Sequence, residues 1–570
     1  MPDSNLSSAQ SGVKKLLRNA WLQGALIALF AFVGTLYYQY LPGYNDDGQL
    51  EAQGYGLSGA DGYYHIKMGY LYRTGEVPAA GGDFHWTQES TWNGEFSDKD
   101  YLFHVFLAPF TLMAEGPADE DGLVHAAKIA QAFIVTMLML TLFSVLRVYR
   151  VRGAWFYTLA LIVVGGSYMV FRLNLCRSYL FSVIFAMVGW LLLEKRSKLP
   201  LAIVSMIYTL AYTASHLLLA MLAVRAVMDL ILGAKEGSTR KKDLLDNASL
   251  AGCIVAGITV GCLLHPESWN LVKLWWVQNV IVLAMSHQDS FGKALDSIGA
   301  IVGFQSDLQN AAELDLGSEL APTKGPTAVF STPLIFFGPM LLPLFAAGLR
   351  WKPDRQAMQI SAIAVTWFVL YLINGRFIEY AGPFMTIAIA VWVTRLWQSD
   401  GYKEWRESHS ITGKAAPLSA FILVIIAAGL IWFGAANAYV VKERGDIREA
   451  GHWLHQNEQA HGKVVWHDRW DDFTELMFFA SEADYLTGLD PTFMYVKDAD
   501  KFNSWNKIRR GKQHDPLKYI KEDFDADYIL VHKSSSEFLY NKLADEAKGG
   551  RLYLEVRAKD GSWSLFRVVK

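Results

Sequence analysis

The sequence has few charged residues, few cysteines and almost no net charge. Charged residues make up 19% of its 570 residues, whereas a soluble protein carries about 25%. The net charge of −3 gives no reason to expect a nucleic-acid partner. The three cysteines, Cys176, Cys253 and Cys262, lack metal-binding or redox spacing, so we interpret them as buried small side chains. Hydrophobic residues make up 52% of the chain, which indicates a membrane protein.

Long apolar runs alternate with short basic segments. The first run follows Lys14, Lys15 and Arg18 and precedes no small-residue cleavage site, so we interpret it as an uncleaved anchor with a cytoplasmic N-terminus. Clusters of Lys and Arg then recur in every second loop, as expected if those loops lie on the cytoplasmic side. We predict about eleven transmembrane helices, at residues 20–40, 123–146, 153–171, 175–193, 199–214, 217–233, 246–264, 331–349, 356–375, 377–398 and 417–440.

This topology puts three polar segments outside the membrane, at 41–122, 265–330 and 441–570. If the apolar stretch 268–286 crossed the membrane, every later basic loop would lie on the extracytoplasmic side. We therefore interpret this stretch as an interfacial or re-entrant helix. Residues 441–570 combine an amphipathic helix, Ile447 to Gln456, with four strand-like runs at 463–466, 528–532, 552–557 and 562–569. The predicted fold class is therefore a polytopic α-helical membrane protein, with a transmembrane catalytic domain at 1–440 and a small extracytoplasmic α/β domain at 441–570.

The stretch Asp61-Gly-Tyr-Tyr-His65 is the most informative motif. It lies in the polar segment after the first span, where a carboxylate can accept a proton, hold a cation or remain a solvated loop residue. Asp61 and His65 are four apart, so on a helix they would share a face. Asp46 and Asp47 form a competing acidic pair upstream.

Three arginines at predicted outer ends of spans are candidates for phosphate binding. They are Arg376, Arg172 and Arg177. A guanidinium binds anionic oxygens bidentately, although an arginine at this depth can also be an interfacial anchor. Two arginines in the short outer loop 171–177 run against the positive-inside rule, which favours function.

Two further outer segments carry candidate residues. Glu319 stands in a long outer loop, where a lone glutamate is usually solvated. In the tail, Trp466, Asp468 and Trp470 follow an apolar strand. This segment could form a recognition edge or dock the domain on the membrane.

Together these motifs resemble the catalytic subunit of oligosaccharyltransferases, and more broadly the GT-C glycosyltransferases. Asp61-Gly-Tyr-Tyr-His65 is similar to the Asp-Pro-Tyr-Tyr-His motif whose Asp contacts metal and acceptor. Ser318-Glu319 is similar to the Ser-x-Ser-Glu motif of the late outer loop, and Arg376 to the arginine that holds the donor phosphate. Trp466 to Asp472 weakly resembles the acceptor motif Trp-Trp-Asp-Tyr-Gly.

The resemblance implies a set of site residues. Asp61 is the catalytic carboxylate, and Arg376, Arg172, Arg177 and His65 bind the donor phosphate. Trp466, Asp468 and Trp470 recognise the acceptor, and Asp61 with Glu319 holds Mn²⁺ or Mg²⁺. The family's second Asp-x-Asp motif is absent, because residues 171–177 contain no carboxylate. A metal would therefore lose ligands, and arginines would replace part of its charge.

The resulting hypothesis is an inverting membrane glycosyltransferase of the cytoplasmic membrane with its site on the extracytoplasmic face. Its partners would be a polyprenyl-(pyro)phosphate-linked sugar donor, a protein or glycan acceptor, and membrane lipids. Two alternatives remain open. One is a polysaccharide polymerase or ligase with the same kind of donor. The other is a transporter or flippase of lipid-linked sugars, although such proteins place ionisable groups near the bilayer midplane, where the predicted spans have few.

Overall fold

The computed structural model describes residues 19–40, 56–77, 84–233, 238–281, 332–348, 350–408 and 447–569. Outside the C-terminal segment its helices are α1 (Ala20–Gln39), α2 (Asp61–Thr74), α3 (Trp92–Glu95), α4 (Tyr101–Leu107), α5 (Glu120–Val148), α6 (Ala154–Leu173), α7 (Tyr179–Lys195), α8 (Lys198–Ala211), α9 (Leu217–Ile231), α10 (Arg240–Leu264), α11 (Ser268–Trp276), α12 (Pro333–Gly348), α13 (Arg355–Ile373), α14 (Ile378–Gln398) and α15 (Asp400–Ser408). The C-terminal segment contains α16 (Arg448–Gln456), β1 (Val464–His467), α17 (Phe473–Phe479), β2 (Asp484–Tyr485), α18 (Pro491–Lys497), α19 (Ala499–Arg509), α20 (Pro516–Glu522), β3 (Tyr528–His532), α21 (Glu537–Lys548), β4 (Leu552–Arg557) and β5 (Trp563–Val568).

Among the described residues, 6 helices are long and apolar enough to cross a membrane. They are α1, α5, α6, α10, α13 and the continuous stretch Gly375–Gln398 that contains α14. The chain is therefore a multi-pass membrane protein, while the count of eleven spans stays a prediction. The predicted span 417–440 lies outside the described residues. The segment 268–286 forms α11 and a π-helical turn, Val277–Ile281, with 282–286 outside the described residues.

The chain divides into two compact units. The first holds the described parts of Met1–Pro42, Ile129–Gly261 and Glu319–Val440. The second holds the described parts of Gly43–Lys128, Cys262–Ser318 and Val441–Lys570. The second unit thus combines the described part of the tail with the described parts of the two earlier segments that the sequence places outside.

In the first unit, α14 packs against α6 and α13. Gly166 has φ +66°, which interrupts the helical path of α6 at a value that glycine adopts without strain. Gly382 of α14 faces Met169 of α6, and an added Cβ there would lie 3.5 Å from the Met169 sulfur, an ordinary van der Waals distance. Gly382 and Met169 therefore lie at the contact between the two helices.

In the second unit, five strands form one sheet in the order β2-β1-β3-β5-β4. β1 is parallel to both β2 and β3, whereas β5 is antiparallel to β3 and β4. The four strand-like runs predicted from sequence are β1, β3, β4 and β5, so a small α/β domain is confirmed. The parallel pairing brings the carboxyl ends of β1 and β3 side by side.

The first polar segment covers the β2 edge of this sheet. Thr87 forms a parallel bridge with Tyr485. The backbone N–H groups of Gln88 and Glu89 donate to the carbonyls of Tyr485 and Leu486, each at 2.8 Å. A sheet edge left open would be an aggregation site, so this pairing also protects the domain.

Candidate active site

Helix α2 begins at Asp61 and ends at Thr74, and Gly75, with a φ of +77°, supplies a left-handed cap. Asp61 lies in the first turn, where the helix dipole favours a carboxylate. Its side chain is half-buried, and His65, one turn later, is buried. The sequence expectation that the two residues would share a helical face therefore holds in the structure.

A close contact between α2 and α4 positions a second histidine against His65. Gly69 packs on Leu107 so tightly that an added Cβ would lie 2.8 Å from the Leu107 Cβ. His65 and His104 lie near these contact residues on their respective helices. As a result His65 Nδ1 and His104 Nε2 are 2.8 Å apart.

The two histidines continue into a buried carboxylate. His104 Nδ1 lies 2.6 Å from Asp98 Oδ2. An ionised carboxylate only accepts hydrogen bonds, so His104 Nδ1–H donates to it. In neutral His104 the Nε2 atom then accepts from His65 Nδ1–H. We call this hydrogen-bonded series the His65–His104–Asp98 chain, and its members are 6%, 0% and 2% exposed.

Asp98 is held in its ionised form by several donors. The Tyr72 hydroxyl donates to Oδ2 at 2.8 Å, and the Asp100 backbone N–H donates to Oδ1 at 3.0 Å. Burial alone would raise the pKa of Asp98, but the contacts with His104, Tyr72 and the Asp100 N–H outweigh it and lower that pKa. The carboxylate therefore stays charged at neutral pH and fixes the orientation of His104.

His265 supports the same loop from the start of the late outer segment. Its Nδ1 accepts from the Glu267 backbone N–H at 3.0 Å, so Nε2–H donates to the Asp98 carbonyl at 2.9 Å. Burial lowers the pKa of His265, which keeps the ring neutral.

Two groups of described residues have the geometry of a metal site. In the first, ligand atoms of His65, Asp100 and His104 lie within 4.8 Å of one another. The Asp98–His104 pair resembles the carboxylate–histidine pairs that orient metal ligands. Asp61 belongs to neither group, and Glu319, like Asp46 and Asp47, lies outside the described residues. A metal held by Asp61 and Glu319 therefore stays a prediction.

In the first unit, the arginines predicted to bind phosphate have unequal surroundings. Arg172 is fully buried and forms an ion pair with Glu379. Its guanidinium also lies 4.6 Å from the centre of the Tyr179 ring, and the Tyr179 hydroxyl donates to the Arg172 carbonyl. Arg177 is only half-buried.

Arg376 lies in the single turn Gly375–Phe377 that leads into α14. Its backbone N–H donates to Asn374 Oδ1 at 3.0 Å, and its side chain is half-buried. Glu379, the partner of Arg172, follows three residues later in the first turn of α14. The structure thus brings Arg376 and the Arg172–Glu379 pair to the same helix start.

The tail residues predicted to recognise an acceptor are less accessible than the sequence suggests. Trp466 and Asp468 are both 0% exposed, because β1 lies between β2 and β3, while Trp470 is half-buried. Neither of the first two side chains presents a recognition edge in this conformation. The acceptor role of this segment stays a prediction, and Trp470 is the member that solvent reaches.

Sequence reasoning did not single out His104, Asp98, Asp100 or His265. The available signal was the spacing Asp98-Lys-Asp100 followed by His104, in a polar segment that turns into an apolar helix. Spacing alone does not indicate that His104 meets a residue 39 positions earlier.

Comparisons with known proteins were made for sequence and for structure. No protein-family model matches the sequence, and no curated protein is significantly similar to it. The chain is nevertheless similar in fold to the oligosaccharyltransferase of Archaeoglobus fulgidus in its apo form. The TM-score is 0.62 at 12% identity, over 92% of this chain and 71% of that one.

Two further structures give the same picture. The Archaeoglobus enzyme in complex with Zn and sulfate has a TM-score of 0.54 at 12% identity, over 90% of this chain and 69% of that one. ArnT from Cupriavidus metallidurans bound to undecaprenyl phosphate has a TM-score of 0.54 at 12% identity, over 96% of this chain and 98% of that one. The chain therefore has the fold of the GT-C glycosyltransferases.

Proposed function

We propose that the chain is an inverting membrane glycosyltransferase of the cytoplasmic membrane, with its site on the extracytoplasmic face. It would move a sugar or oligosaccharide from a polyprenyl-(pyro)phosphate-linked donor to a protein or glycan acceptor. The observation that carries the proposal is the buried His65–His104–Asp98 chain beside Asp61, in a protein with this fold. The undecaprenyl phosphate bound to the Cupriavidus protein supports the class of donor.

Asp61 would orient the acceptor and take up its proton. As the acceptor heteroatom forms a bond to the anomeric carbon, its bond to hydrogen breaks and the proton moves to the carboxylate. The histidine pair, which begins one turn along the same helical face, offers a further destination for that proton. His104 can carry the extra charge because the Asp98 carboxylate lies 2.6 Å from its other ring nitrogen.

The bond between the anomeric carbon and the donor phosphate oxygen would break in the same step, so the configuration inverts. The leaving phosphate gains negative charge, which Arg376 and Arg177 would stabilise. Arg172 was predicted to do the same, but its ion pair with Glu379 supports a positioning role at the start of α14. For His65, the contact with His104 supports proton transfer in place of the predicted phosphate binding.

A divalent cation fits the first group of candidate ligands. His65, His104 and Asp100 would hold it through two imidazole nitrogens and a carboxylate, with Asp98 orienting His104. When bound, it would neutralise charge on the donor phosphate. The Mn²⁺ or Mg²⁺ predicted from sequence would meet more nitrogen at this group than either ion prefers.

The test is complementation of a deletion strain, followed by mass spectrometry of its glycans and lipid-linked sugars. We expect the deletion to remove a glycan and to accumulate its lipid-linked donor on the outer leaflet. The parent gene should restore the glycan, and Asp61→Asn should not. Glu76→Gln is the matched control, because Glu76 is an exposed carboxylate just beyond the other end of α2. A donor that accumulates on the inner leaflet would indicate a flippase, and a glycan restored by Asp61→Asn would contradict the catalytic assignment.

A further inference from the structure

The carboxyl ends of β1 and β3 bring together three buried side chains of the tail domain. Asp468 follows β1, His532 is the last residue of β3, and Asp472 ends the short turn Trp470–Asp472. They are 0%, 3% and 6% exposed. In open α/β sheets this edge of parallel strands is where ligands bind.

The ligand atoms of these residues have separations that suit a metal ion. His532 Nδ1 lies 2.9 Å from Asp468 Oδ1 and 3.6 Å from Asp472 Oδ2. All three ligand atoms lie within 4.8 Å of one another. Around a tetrahedral ion with bonds of about 2.0 Å, neighbouring ligand atoms are about 3.3 Å apart. The two observed distances lie on either side of that value, so shifts of a few tenths of an ångström would complete the shell.

One buried carboxylate oxygen in the cluster is a hydrogen-bond acceptor without a donor among the described residues. Asp472 Oδ2 is buried and accepts no hydrogen bond from any described residue, although it faces His532 Nδ1. Buried polar atoms are rarely left in this state without a ligand or a water molecule. Asp468, in contrast, is oriented by the His532 backbone N–H, which lies 3.3 and 3.1 Å from its two oxygens. One carboxylate is thus fixed by hydrogen bonds, and the other faces the same imidazole nitrogen at 3.6 Å without a hydrogen bond to Oδ2 from any described residue.

The charges of this loop also favour a cation. Asp468, Asp471 and Asp472 are accompanied by one guanidinium, that of Arg469. Arg469 Nη2 lies 3.0 Å from Asp471 Oδ2, whereas its Nε is 3.8 Å from Asp472 Oδ1. The guanidinium therefore mainly contacts Asp471. A His532 side chain that binds a metal through Nδ1 gives up its proton at that atom, and the two buried carboxylates then lack a full counter-charge. A divalent ion would supply it.

We propose that Asp468, Asp472 and His532 bind one divalent transition-metal ion, Zn²⁺ or Mn²⁺, that joins the ends of β1 and β3. One imidazole with two carboxylates matches these ions, whereas Ca²⁺ and Mg²⁺ prefer shells of oxygen alone. The ion would link the segment after β1 to the end of β3, two parts of the chain separated by 64 residues. This site does not depend on the proposed transfer reaction.

The test measures bound metal in the purified full chain after removal of metal with a chelator. The protein is dialysed against Zn²⁺ or Mn²⁺, and its metal content is measured by mass spectrometry, with thermal unfolding followed in parallel. Compared with the parent, Asp472→Asn should bind one ion fewer and should lose the rise in unfolding midpoint that the metal causes. Asp471→Asn is the matched control, because Asp471 is the adjacent carboxylate and lies outside the ligand group. It should keep the full metal content.

His532→Gln removes a different ligand and should give the same loss, so the result does not rest on the folding of one variant. Each ligand variant should differ from the parent by one ion, because the group at His65, Asp100 and His104 is unchanged in every variant. Equal metal content in the parent and both ligand variants would overturn the proposal. So would a parent that binds neither ion, or an equal loss in Asp471→Asn.

Discussion

Replacing Asp98 with asparagine should slow sugar transfer while leaving the protein folded. The amide oxygen of the new residue would stay on the Asp100 backbone N–H, which donates to Oδ1 at 3.0 Å. Its NH₂ group would then face His104 Nδ1, where Asp98 Oδ2 now accepts at 2.6 Å. Two donors cannot face each other, so His104 would take the other tautomer, with its proton on Nε2. His104 could then no longer accept the proton that His65 holds 2.8 Å away.

The expected magnitude follows from the bond that is lost. A hydrogen bond to a charged group contributes about 1.5–3 kcal/mol, and each 1.4 kcal/mol changes a rate about tenfold. We therefore expect kcat to fall by about one to two orders of magnitude, with the KM for donor little changed.

Tyr72→Phe is the matched control for this prediction. It removes the hydroxyl that donates to the same Asp98 oxygen at 2.8 Å, but it keeps the charge and the His104 tautomer. The assay is turnover of a lipid-linked donor by purified protein at several pH values. The reasoning would be refuted by an Asp98→Asn variant as fast as the parent, or by an equal loss in Tyr72→Phe. A larger loss in Asp100→Asn than in Asp98→Asn would show that metal binding at this cluster matters more than proton transfer.

Three further outcomes are expected. Arg376→Ala should weaken donor binding by about one to two decades at saturating acceptor, because a charge-assisted contact contributes about 1.5–3 kcal/mol; an unchanged donor titration would make Arg376 an interfacial anchor. Glu379→Ala should destabilise the protein by about 3–5 kcal/mol, because it leaves the fully buried Arg172 without its counter-charge; thermal unfolding measures this, and a midpoint equal to that of the parent would contradict it. Excess chelator should reduce transfer without abolishing it, because arginines share the charge of the phosphate; complete loss that added Mn²⁺ or Mg²⁺ fully restores would show that the metal is essential.

The sequence predicts local structure well wherever one short pattern determines it. The strand-like runs at 528–532 and 552–557 are strands over those same residues. Asp61 begins a helix because the residues up to Thr74 contain no proline and Gly75 ends the helix with a positive φ. The two-residue strand β2 was not predicted, since a pair of residues carries no periodicity and its place depends on the partner strand.

Contacts between distant residues could not be predicted in this way. Arg172 and Arg177 look alike in sequence, yet Arg172 is fully buried against a glutamate 207 residues away, whereas Arg177 is half-buried. Burial of that guanidinium requires a counter-charge. Glu379 supplies it, but no sequence pattern singles out this residue in an otherwise apolar helix. The tail shows the same limit. The sequence predicts that Trp466 and Asp468 lie at a recognition edge, but Trp466 is buried in β1 between two strands and Asp468 is buried against His532.

The absence of the Asp-x-Asp motif does not leave the described residues without candidate metal ligands, because His104 and Asp100 lie close to His65. The sequence between residues 171 and 177 offers a metal no carboxylate, which argued against a complete ligand set. The described part of the second unit, however, brings together an imidazole of α2, an imidazole of α4 and the carboxylate of Asp100, which directly precedes α4. The packing of Gly69 on Leu107 provides this geometry. The described residues thus bring candidate ligands and proton carriers together by packing, on the same helix as Asp61, whereas the Asp-x-Asp motif of the family that the sequence resembles would lie further along the chain.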